Sequence, residues 1–533
     1  MLFLYGTGCG NERVIPLVPP DPFVPPDPST CAVYLWEPAD GDLETWPSMD
    51  YLVEDDTTVT GYRFAMTRDR FPRLEAYGEH AHVAEVQLST IDGFGVNASL
   101  WAEFSRPFDA ARLPPGDGAV RVEDPAGIVV FAEDGSISLH PVSLSAEKDA
   151  TNERRLLVAV PMRPLPEKAH AAFFVTTAAA SATADHCISP SAGMRERLEF
   201  PDAETERAIV ALIELGVIED RSDLAVLQSF VTQSICDESI AVAADIASRP
   251  DADFALDIDS ATDCVIDGSY RHCVARLGAT DYRNAKGYVE LDAAGGAIRQ
   301  ATYELNVHLF IPTVLSAPAP TILFGHGLSG NAVDHTRQIL PFAAEDGAVI
   351  VAIDALEHGE HPTSDGVEGV RGVLEFFAVD IAGPSVDALR LRDNFRQSTF
   401  DKLQVTRAIL ANPDLDLDGT DDVDPERLSY VGVSLGAIMG GELLALTDVY
   451  ESAILVAPGG RVSAIVNDDE SVFSPLKPLL LPSAISRDDA ETEKLFTVLQ
   501  TALDRGDSAS FAARILDQRI PSAPGVPDVL TLI

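Results

Sequence analysis

Positive charge is scarce in this chain of 533 residues. Lys and Arg together number 38 against 84 Asp and Glu, which gives a formal net charge of −46. A surface this acidic repels a polyanion over most of its area, so nucleic acid is disfavoured as a partner. Long hydrophobic runs are also missing, since none reaches the ~18 apolar residues that a membrane-spanning helix needs. We therefore expect a chain that is soluble or merely tethered to a membrane.

Cysteine is infrequent as well, with six in the chain. No Cys-x-x-Cys pair and no Cys/His ligand spacing occurs, so a structural zinc site is not expected. In an exported protein some of the six could pair, and Cys264 and Cys273 are the nearest candidates because Asp267-Gly268 between them is a turn signal. The remaining composition, 46% hydrophobic and 23% charged, is ordinary for a globular protein of about three domains.

The first residues, MLFLYGTGCGNE, indicate the tail of a lipoprotein signal, because small residues stand just before Cys9. The prolines that follow, up to residue 30, predict an extended tether. The protein is then exported, as a cell-envelope lipoprotein or a secreted protein, and a lipid on Cys9 would be its attachment to the membrane. The alternative is a frayed N-terminus with one free or buried thiol.

Hydrophobic periodicity changes along the chain. Residues 31–195 contain short alternating segments separated by turns, Val83 to Leu88 among them, which predicts a β-rich domain. Residues 196–295 begin with apolar residues at helical spacing, including those from Leu224 to Val231, and then become irregular. We interpret this region as a helical connector followed by an irregular, β-like segment.

From residue 296 to residue 533, apolar strands alternate with helical stretches. This order predicts an α/β domain with a mostly parallel sheet and helices on both faces. Ligand sites in such sheets lie beyond the carboxyl ends of the strands. The predicted strands are Leu305 to Ile311, Thr321 to Phe324, Val349 to Ile353, Leu428 to Val433, Ala453 to Val456 and Val529 to Ile533, and the helices include Asp401 to Leu410 and Ala437 to Leu446.

The strongest motif is Gly-Val-Ser-Leu-Gly, from Gly432 to Gly436, between a predicted strand and a predicted helix. A serine on such a turn has a strained backbone, and the glycines two before and two after it avoid clashes. Ser434 is therefore the candidate nucleophile. The amide of Leu435 lies at a helix N-terminus, where it can face a developing oxyanion.

A second motif, GHGLSG, spans residues 325–330 after the strand Thr321 to Phe324. Gly327 allows the backbone to approach a substrate carbonyl, and the amide of Leu328 is the candidate for the second oxyanion donor. His326 is expected to brace this loop rather than to act as a base. The next strand is followed by Asp354 and by His358-Gly359-Glu360-His361, which we interpret as a hydrogen-bonded loop beside the same cleft.

Together these residues resemble the α/β-hydrolase fold and, more narrowly, the bacterial extracellular lipases of the virulence-factor type, which carry an N-terminal β domain. The resemblance implies hydrolysis of carboxylic esters, especially lipidic acyl esters, through an acyl-enzyme and without a cofactor. Further phrases similar to these lipases lie at Leu88 to Phe94, Phe104-Ser105, Pro164-Leu165, Phe230 to Ser234 and Arg392 to Gln397.

In that family the nucleophile is followed along the chain by Asp or Glu and then by His. All eleven histidines here lie at or before His361, and none follows Ser434. The last residues, Val526 to Ile533, are interpreted as the strand whose next loop would bear the acid. We therefore expect a C-terminally truncated hydrolase with little or no activity, since loss of triad members costs ~10⁴ to 10⁶ in rate. The alternative is that His358 or His361 reaches Ser434 from the neighbouring strand end.

Asp414, Asp416 and Asp418, followed by Gly419, form the opening of an EF-hand-type calcium loop. The closing Glu is out of register, because the twelfth position is Pro425, so a solvated acidic turn is the expected interpretation and calcium the alternative.

Two functions remain open at this stage. The first is an exported serine ester hydrolase, and the second is a non-catalytic envelope protein that binds through its β domain and keeps a degenerate hydrolase domain.

Overall fold

The structure is a computed structural model, and it places two layered units side by side. It describes residues 30–37, 44–114, 116–132, 134–182, 186–259, 262–315, 318–364, 366, 369–380, 382–383, 385–468, 481, 485, 488–516, 520 and 529–532, the last four as backbone. The predicted tether and Cys9 lie outside the described residues.

The N-terminal unit is built on two four-stranded antiparallel sheets. Their orders are β12-β10-β6-β7 and β2-β5-β9-β8. Trp46 and Trp101, from paired strands, stack at 5.6 Å in the core that the sheets share, and Phe94 meets Trp46 edge-on. The strands of this half are β1 (Ala32–Val33), β2 (Thr45–Trp46), β3 (Leu52–Glu54), β4 (Tyr62–Phe64), β5 (Leu100–Glu103), β6 (Ala126–Phe131), β7 (Ile137–His140), β8 (Val142–Lys148), β9 (Arg154–Pro161), β10 (His170–Thr176), β11 (Ile188–Ser189) and β12 (Leu224–Val231).

Two local predictions in this half are wrong. Val83–Gln87 forms a π-helical turn rather than a strand. The polar residue Gln87 is buried because its side chain accepts a hydrogen bond from the amide of Ala388, at the start of a helix. The alternation of apolar and polar residues in the sequence therefore does not correspond to an alternation between core and solvent. Conversely, Leu224–Val231 is a strand rather than a helix. Both of its faces are buried, so the two-residue period disappears and the leucine spacing mimics a helix.

The C-terminal unit is an α/β structure with one nine-stranded sheet. Its order is β13-β15-β16-β18-β17-β21-β22-β23, with β14 paired to β15. The run from β18 to β23 is parallel, and β15 and β16 join it antiparallel. Its strands, and a small separate hairpin, are β13 (Leu256–Asp257), β14 (Cys264–Asp267), β15 (Tyr270–Asp281), β16 (Ala301–Pro312), β17 (Ala319–Gly325), β18 (Val349–Ala352), the hairpin β19 (Val379–Asp380) and β20 (Ser385–Val386), then β21 (Val423–Val433), β22 (Ser452–Val456) and β23 (Val529–Leu532).

Helices cover both faces of this sheet. Successive side chains of a strand point to opposite faces. Phe324 accordingly joins a small core beneath α4, whereas its neighbour Leu323 joins the main core with Phe400 of α6 and Leu443 of α7. The helices are α1 (Ala192–Glu199), α2 (Ala203–Glu214), α3 (Asp237–Ser248), α4 (Ala332–Asp346), α5 (Val370–Phe376), α6 (Ala388–Ala411), α7 (Leu435–Leu446), α8 (Val462–Asp468), α9 (Asp489–Leu503) and α10 (Ser508–Leu516).

Helix α6 is buried along most of its 24 residues, charged ones included. Its Arg396 contacts Glu238 of α3, and Glu238 also contacts Arg505, which reaches Asp92 in the N-terminal unit. Burial alone would raise the pKa of Glu238, but the guanidinium groups of Arg505 and Arg396 hold it at about 2. The two units are thus joined by a buried ionic network. In the part of the chain described, no helix combines the length and the apolar character needed to cross a bilayer.

Two disulfides close loops of very different length. Cys264 and Cys273 pair across the β14–β15 turn, as predicted, and Cys31 pairs with Cys187, 156 residues away, which the sequence did not indicate. The remaining described cysteine, Cys236, is a buried thiol whose pKa burial raises to about 12.

Candidate active site

Ser434 lies at the point where β21 ends and α7 begins. Its backbone angles, φ 51° and ψ −111°, are outside the regions that non-glycine residues prefer. The bend is held from both sides, because the amide of Ser434 donates to the carbonyl of Val456 on β22 and its own carbonyl accepts from Ile438 in the first turn of α7. The side chain is exposed. The predicted nucleophile therefore stands on a strained turn with its hydroxyl open to solvent.

Glycine is required on both sides of Ser434 because backbone approaches too closely for a side chain. A Cβ on Gly436 would lie 2.3 Å from the carbonyl oxygen of Gly325, and a Cβ on Gly432 would lie 2.6 Å from the carbonyl oxygen of Gly436. Gly325 and Gly432 are paired in register on neighbouring strands β17 and β21. These contacts bring the turn of Ser434 directly against the loop that follows β17.

That loop is braced by His326. Its Nδ1–H donates to the carbonyl oxygen of Gly327 at 2.9 Å, and its Nε2 accepts from the amide of Ala355 at 2.9 Å. Burial and the neighbouring His358 hold the pKa of His326 well below its usual value, so the ring is neutral at neutral pH. With both nitrogens engaged, His326 supports the loop and is not available to take a proton from Ser434.

A second histidine, His335 in the first turns of α4, holds the same loop from the other side. Its Nδ1 accepts the amide hydrogen of Gly327 at 3.1 Å. A Cβ placed on Gly327 would lie 3.5 Å from Cε1 of His335 and 3.5 Å from Cβ of Ser434. Gly327 therefore lines a narrow gap between the candidate nucleophile and this imidazole.

Two backbone amides remain for an oxyanion. The carbonyl of Gly327 is turned toward His326 and Gly330, and in a trans peptide the next N–H, that of Leu328, points the opposite way. Leu435 is the first residue of α7, where an amide has no acceptor within the helix. Neither amide donates to another residue in the described part of the chain. Both are thus free to donate a hydrogen bond to a ligand at the edge of the sheet where Ser434 lies.

The structure does not bring the two other candidate histidines to Ser434. His358 donates from Nδ1 to the carbonyl of Leu356 and accepts at Nε2 from Ser329. His361 is buried, and its two nitrogens meet Thr363 and Asp401. Each ring is therefore committed to the loop after β18, which argues against the alternative in which one of them serves Ser434 as a base.

The loop after β18 rests on a buried carboxylate, and a buried ammonium group lies between α6 and α7. Asp354 accepts from the amides of Ala332 and Glu360, which ties α4 to this loop. Lys402 of α6 donates to the carbonyl of Ser398 and contacts the sulfur of Met439. Burial lowers the pKa of Lys402 to about 8.

Sequence reasoning missed both His335 and Lys402. His335 follows Gly327 by eight residues and lies in the first turn of a helix that Asn331 caps. Only the fold of the intervening turn shows that the His335 ring contacts the amide of Gly327. Lys402 belongs to no motif of the sequence, and its burial follows from packing of α6 on both sides.

An apolar cavity lies between α5, α6, α8 and α9. The N-terminal half of α6 faces this cavity. Because α6 leads into the start of β21 and runs antiparallel to it, this half of the helix lies at the edge of the sheet where the parallel strands end. Its lining is apolar apart from Ser463: Val373, Leu374, Phe377, Val379, Val386, Ala388, Leu391, Val462, Val466, Phe496, Leu499 and Leu503.

The acidic segment lies at the opposite end of β21 from Ser434. Three carboxylates gather there, those of Asp414, Asp416 and Asp422, within 4.8 Å of one another. The predicted set included Asp418 in place of Asp422. This cluster is separate from the site around Ser434.

Comparison with known proteins found no matching family model and no matching curated protein. Among solved structures, the chain is similar to acetyl xylan esterase 1 from Thermoanaerobacterium sp. JW/SL YS485, with 15% identity over 56% of this chain and 87% of that chain and a TM-score of 0.33. It is also similar to a cold-adapted esterase from an Arctic intertidal metagenomic library, with 18% identity over 41% and 70% and a TM-score of 0.23.

A third similarity is to the alpha/beta hydrolase GrgF from Penicillium sp. sh18, with 15% identity, 36% of this chain, 51% of that chain and a TM-score of 0.21. The chain thus spans about half the length of GrgF. At these identities and TM-scores, the similarities do not assign an activity to the chain.

Proposed function

We propose that the protein is a serine carboxylic-ester hydrolase of the α/β-hydrolase type. The observation that carries the proposal is the exposed Ser434 on a strained strand-to-helix turn. Gly436 of this turn packs against Gly325, which leads into the loop that presents the Leu328 amide. In this mechanism the Ser434 oxygen attacks the ester carbonyl, and the amides of Leu328 and Leu435 hold the oxyanion. The alcohol leaves with a proton, and water then hydrolyses the acyl-enzyme.

Proton transfer needs a base, and the three histidines that the sequence singled out do not serve as one. His326, His358 and His361 are each hydrogen-bonded elsewhere through both ring nitrogens. We therefore assign neither the acid nor the base of a triad. A serine hydroxyl without an imidazole partner is a weak nucleophile near neutral pH, so activity of these 533 residues alone is expected to be low.

We propose lipidic acyl esters as the substrate class, as in the extracellular lipases that the sequence resembles. The apolar cavity between α5, α6, α8 and α9 supports this proposal, since it offers a chain of methylene groups a dry lining near the same edge of the sheet. No cofactor is needed for this reaction. We also propose that the protein is exported, attached to the envelope through Cys9 or secreted, and the two disulfides support an oxidising compartment.

A non-catalytic envelope protein with a degenerate hydrolase domain is the second candidate. The observation in its favour is the full engagement of His326, His358 and His361 in structural hydrogen bonds. The fold would then hold the turn of Ser434 for packing, and binding would fall to the N-terminal unit.

Covalent labelling separates the two candidates. The intact chain is treated with a fluorophosphonate probe, alone and with added imidazole as an external base, and the labelled peptide is identified by mass spectrometry. We expect labelling at Ser434 that imidazole accelerates, loss of labelling in Ser434→Ala, and full labelling in the matched variant Ser138→Ala, which removes an exposed serine of the N-terminal unit. No labelling of the folded chain, even with imidazole, would overturn the proposal in favour of the second candidate.

A further inference from the structure

We infer that His335 is a specificity-determining residue, whose Nε2–H donates to the alcohol portion of the ester, and that the polar pocket beside it takes a small neutral polyhydroxyl alcohol. The polar pocket is the cavity between the start of α4 and the loop after β18, and its lining includes Ser329, His335, Gln338, Glu357 and Gly359. This inference rests on the proposed function and adds the class of alcohol to it.

The ring of His335 is held in one orientation from two sides. Its Nδ1 accepts the amide hydrogen of Gly327 at 3.1 Å. A Cβ on Gly330 would lie 2.3 Å from Cε1 and 2.5 Å from Nε2 of the ring, so the imidazole packs directly against the backbone of this glycine. A hydrogen bond and a packing contact thus fix the position of the ring before any substrate binds.

This orientation decides which nitrogen of the ring carries the proton. A neutral imidazole has one N–H, and a nitrogen that accepts an amide hydrogen cannot carry it. The proton of neutral His335 is therefore on Nε2, which meets no hydrogen-bond partner among the described residues. The side chain is only partly buried. His335 is thus suited to donate to an oxygen atom of a ligand, and not to take a proton from Ser434.

The distance from His335 to Ser434 matches part of an ester. The position of a Cβ on Gly327 is 3.5 Å from Cε1 of His335 and 3.5 Å from Cβ of Ser434, so these two atoms are separated by no more than twice that length. In a near-attack arrangement the carbonyl carbon lies about 3–3.5 Å from the serine oxygen. A span of this size therefore holds the ester group and the first carbon atoms of one of its substituents.

The lining of the polar pocket indicates which substituent lies on this side. It consists of polar side chains and glycines, and none of the lining residues that the structure describes has a hydrocarbon side chain. The cavity between α5, α6, α8 and α9 has the opposite character. An acyl chain in the polar pocket would leave polar groups without partners, whereas the apolar cavity suits it. The polar pocket therefore takes the alcohol portion of the ester.

The size of the polar pocket limits the alcohol. Its volume is about 260 Å³, just below the range of pockets that hold whole drug-sized ligands. The alcohol is therefore small.

The charges at the polar pocket favour a neutral alcohol. Its two carboxylates already face guanidinium groups, since Asp334 lies 3.5 Å from Arg337 and Glu357 lies 3.6 Å from Arg390. An ammonium group would therefore gain little there. No Lys or Arg is among the described lining residues, which disfavours a phosphate ester. Hydroxyl groups, which both donate and accept, match the donors and acceptors that remain.

Gln338 is a second group that can bind a hydroxyl. It follows His335 by three residues and so lies on the same face of α4. Its side chain is exposed and has no hydrogen-bond partner in the described part of the chain. With His335 it offers two polar groups at neighbouring positions, which suits an alcohol with more than one further hydroxyl.

Two fluorophosphonate probes that differ only in the alkoxy group test this inference on the intact chain, with imidazole added as the external base. Both carry an octyl chain on phosphorus, and the alkoxy group is 2,3-dihydroxypropyl in one and propyl in the other. Ser434 displaces fluoride in each case, so the alkoxy group stays on phosphorus in the place of the alcohol portion. We expect labelling of Ser434 to be about three- to tenfold faster with the dihydroxypropyl probe, the effect of one or two hydrogen bonds.

Two substitutions of His335 separate substrate binding from support of the loop. His335→Asn keeps an acceptor for the Gly327 amide but has no donor at the position of Nε2, so the ratio of the two labelling rates should fall to about one. His335→Gln places an amide donor near that position and should keep most of the preference. The matched variant His82→Asn removes an exposed histidine of the N-terminal unit and should leave the ratio unchanged. Melting temperatures confirm folding, and Gln338→Ala, which should also lower the ratio, is a second variant in case His335→Asn does not fold.

The outcomes distinguish this inference from the proposed function. No labelling of Ser434 by either probe would overturn the proposed function and the inference that rests on it. Labelling of Ser434 at equal rates by the two probes would overturn the inference alone. Equal slowing of both probes in His335→Asn would do the same, because an unchanged ratio would mean that His335 only supports the loop.

Discussion

The amide of Gly436 donates a 2.9 Å hydrogen bond to the carbonyl oxygen of His326. This bond joins the first turn of the helix after Ser434 to the loop that presents the Leu328 amide. The candidate nucleophile and the candidate oxyanion donors are thereby fixed relative to each other by backbone groups, independently of any side chain of a triad. The arrangement can therefore persist in a chain where His326, His358 and His361 are engaged elsewhere.

Gly436→Ala is expected to destabilise the fold by about 3 kcal/mol, the upper part of the usual cost of overpacking. A Cβ at this position would lie 2.3 Å from the carbonyl oxygen of Gly325, and backbone on both sides cannot move aside. Urea denaturation measures the change. Gly278→Ala is the matched control, because position 278 is exposed with no atom within 4 Å of a new Cβ. An equal loss in both variants would contradict the close approach.

Gly327→Ala should leave stability nearly unchanged yet lower fluorophosphonate labelling of Ser434 about tenfold or more. The new methyl group would make ordinary contacts at 3.5 Å with Ser434 and His335, so the fold accommodates it. It would, however, occupy the gap in which a reacting carbonyl or phosphoryl group must lie, and small displacements there are costly. Labelling rate and melting temperature are measured together, and an unchanged labelling rate would place the reacting group elsewhere.

Lys402→Met should stabilise the protein at pH 7 by up to about 3 kcal/mol, at 1.36 kcal/mol per pKa unit. Burial lowers the pKa of Lys402 from 10.5 to about 8, so the folded state binds the proton less firmly than the unfolded chain. The destabilisation caused by burying the Lys402 ammonium group is fully present below pH 8 and decreases as the pH rises to about 10.5. Urea titrations across this range should show the advantage of the variant shrinking, whereas the exposed Lys286→Met should show no such trend.

Removal of the Cys31–Cys187 disulfide should cost more stability than removal of Cys264–Cys273. The two bonds close loops of 156 and 9 residues, and chain entropy gives about 5 and about 3 kcal/mol for loops of these lengths. Paired Cys→Ser variants are compared by denaturant titration under non-reducing conditions. The reverse order would mean that the unfolded chain keeps its N-terminal unit partly folded.

The sequence predicted the parts of the fold that rest on continuous apolar runs. The strands that became β16, β17, β18, β21 and β22 were recognised because each contains a largely apolar run, and the turn at Ser434 was recognised because its glycines have a steric cause. An apolar run misled at Leu224–Val231, where both faces of the strand are buried and the leucines fall at helical spacing. The π-helical turn Val83–Gln87 was not predicted, because the residue that explains the burial of Gln87, Ala388, is 301 residues away in the sequence.

Site residues that act across the fold were harder to predict than those within one motif. His335 contacts Gly327 through a turn that brings it back from eight positions away. The pairing of Cys31 with Cys187 depends on β1 lying beside β11, which no local pattern shows. Phrases such as Phe230 to Ser234 and Arg392 to Gln397 supported the resemblance to lipases, and the structure places several of their polar residues in the junction between the two units.

The ionic network of Asp92, Glu238, Arg396 and Arg505 has a consequence for how the chain can be divided. Cutting the protein between its halves would break one pair of this network, Arg505 with Asp92, and would cost about 3–5 kcal/mol. Two fragments divided between β12 and α3 and expressed together should therefore stay associated, and neither half expressed separately should melt as sharply as the whole.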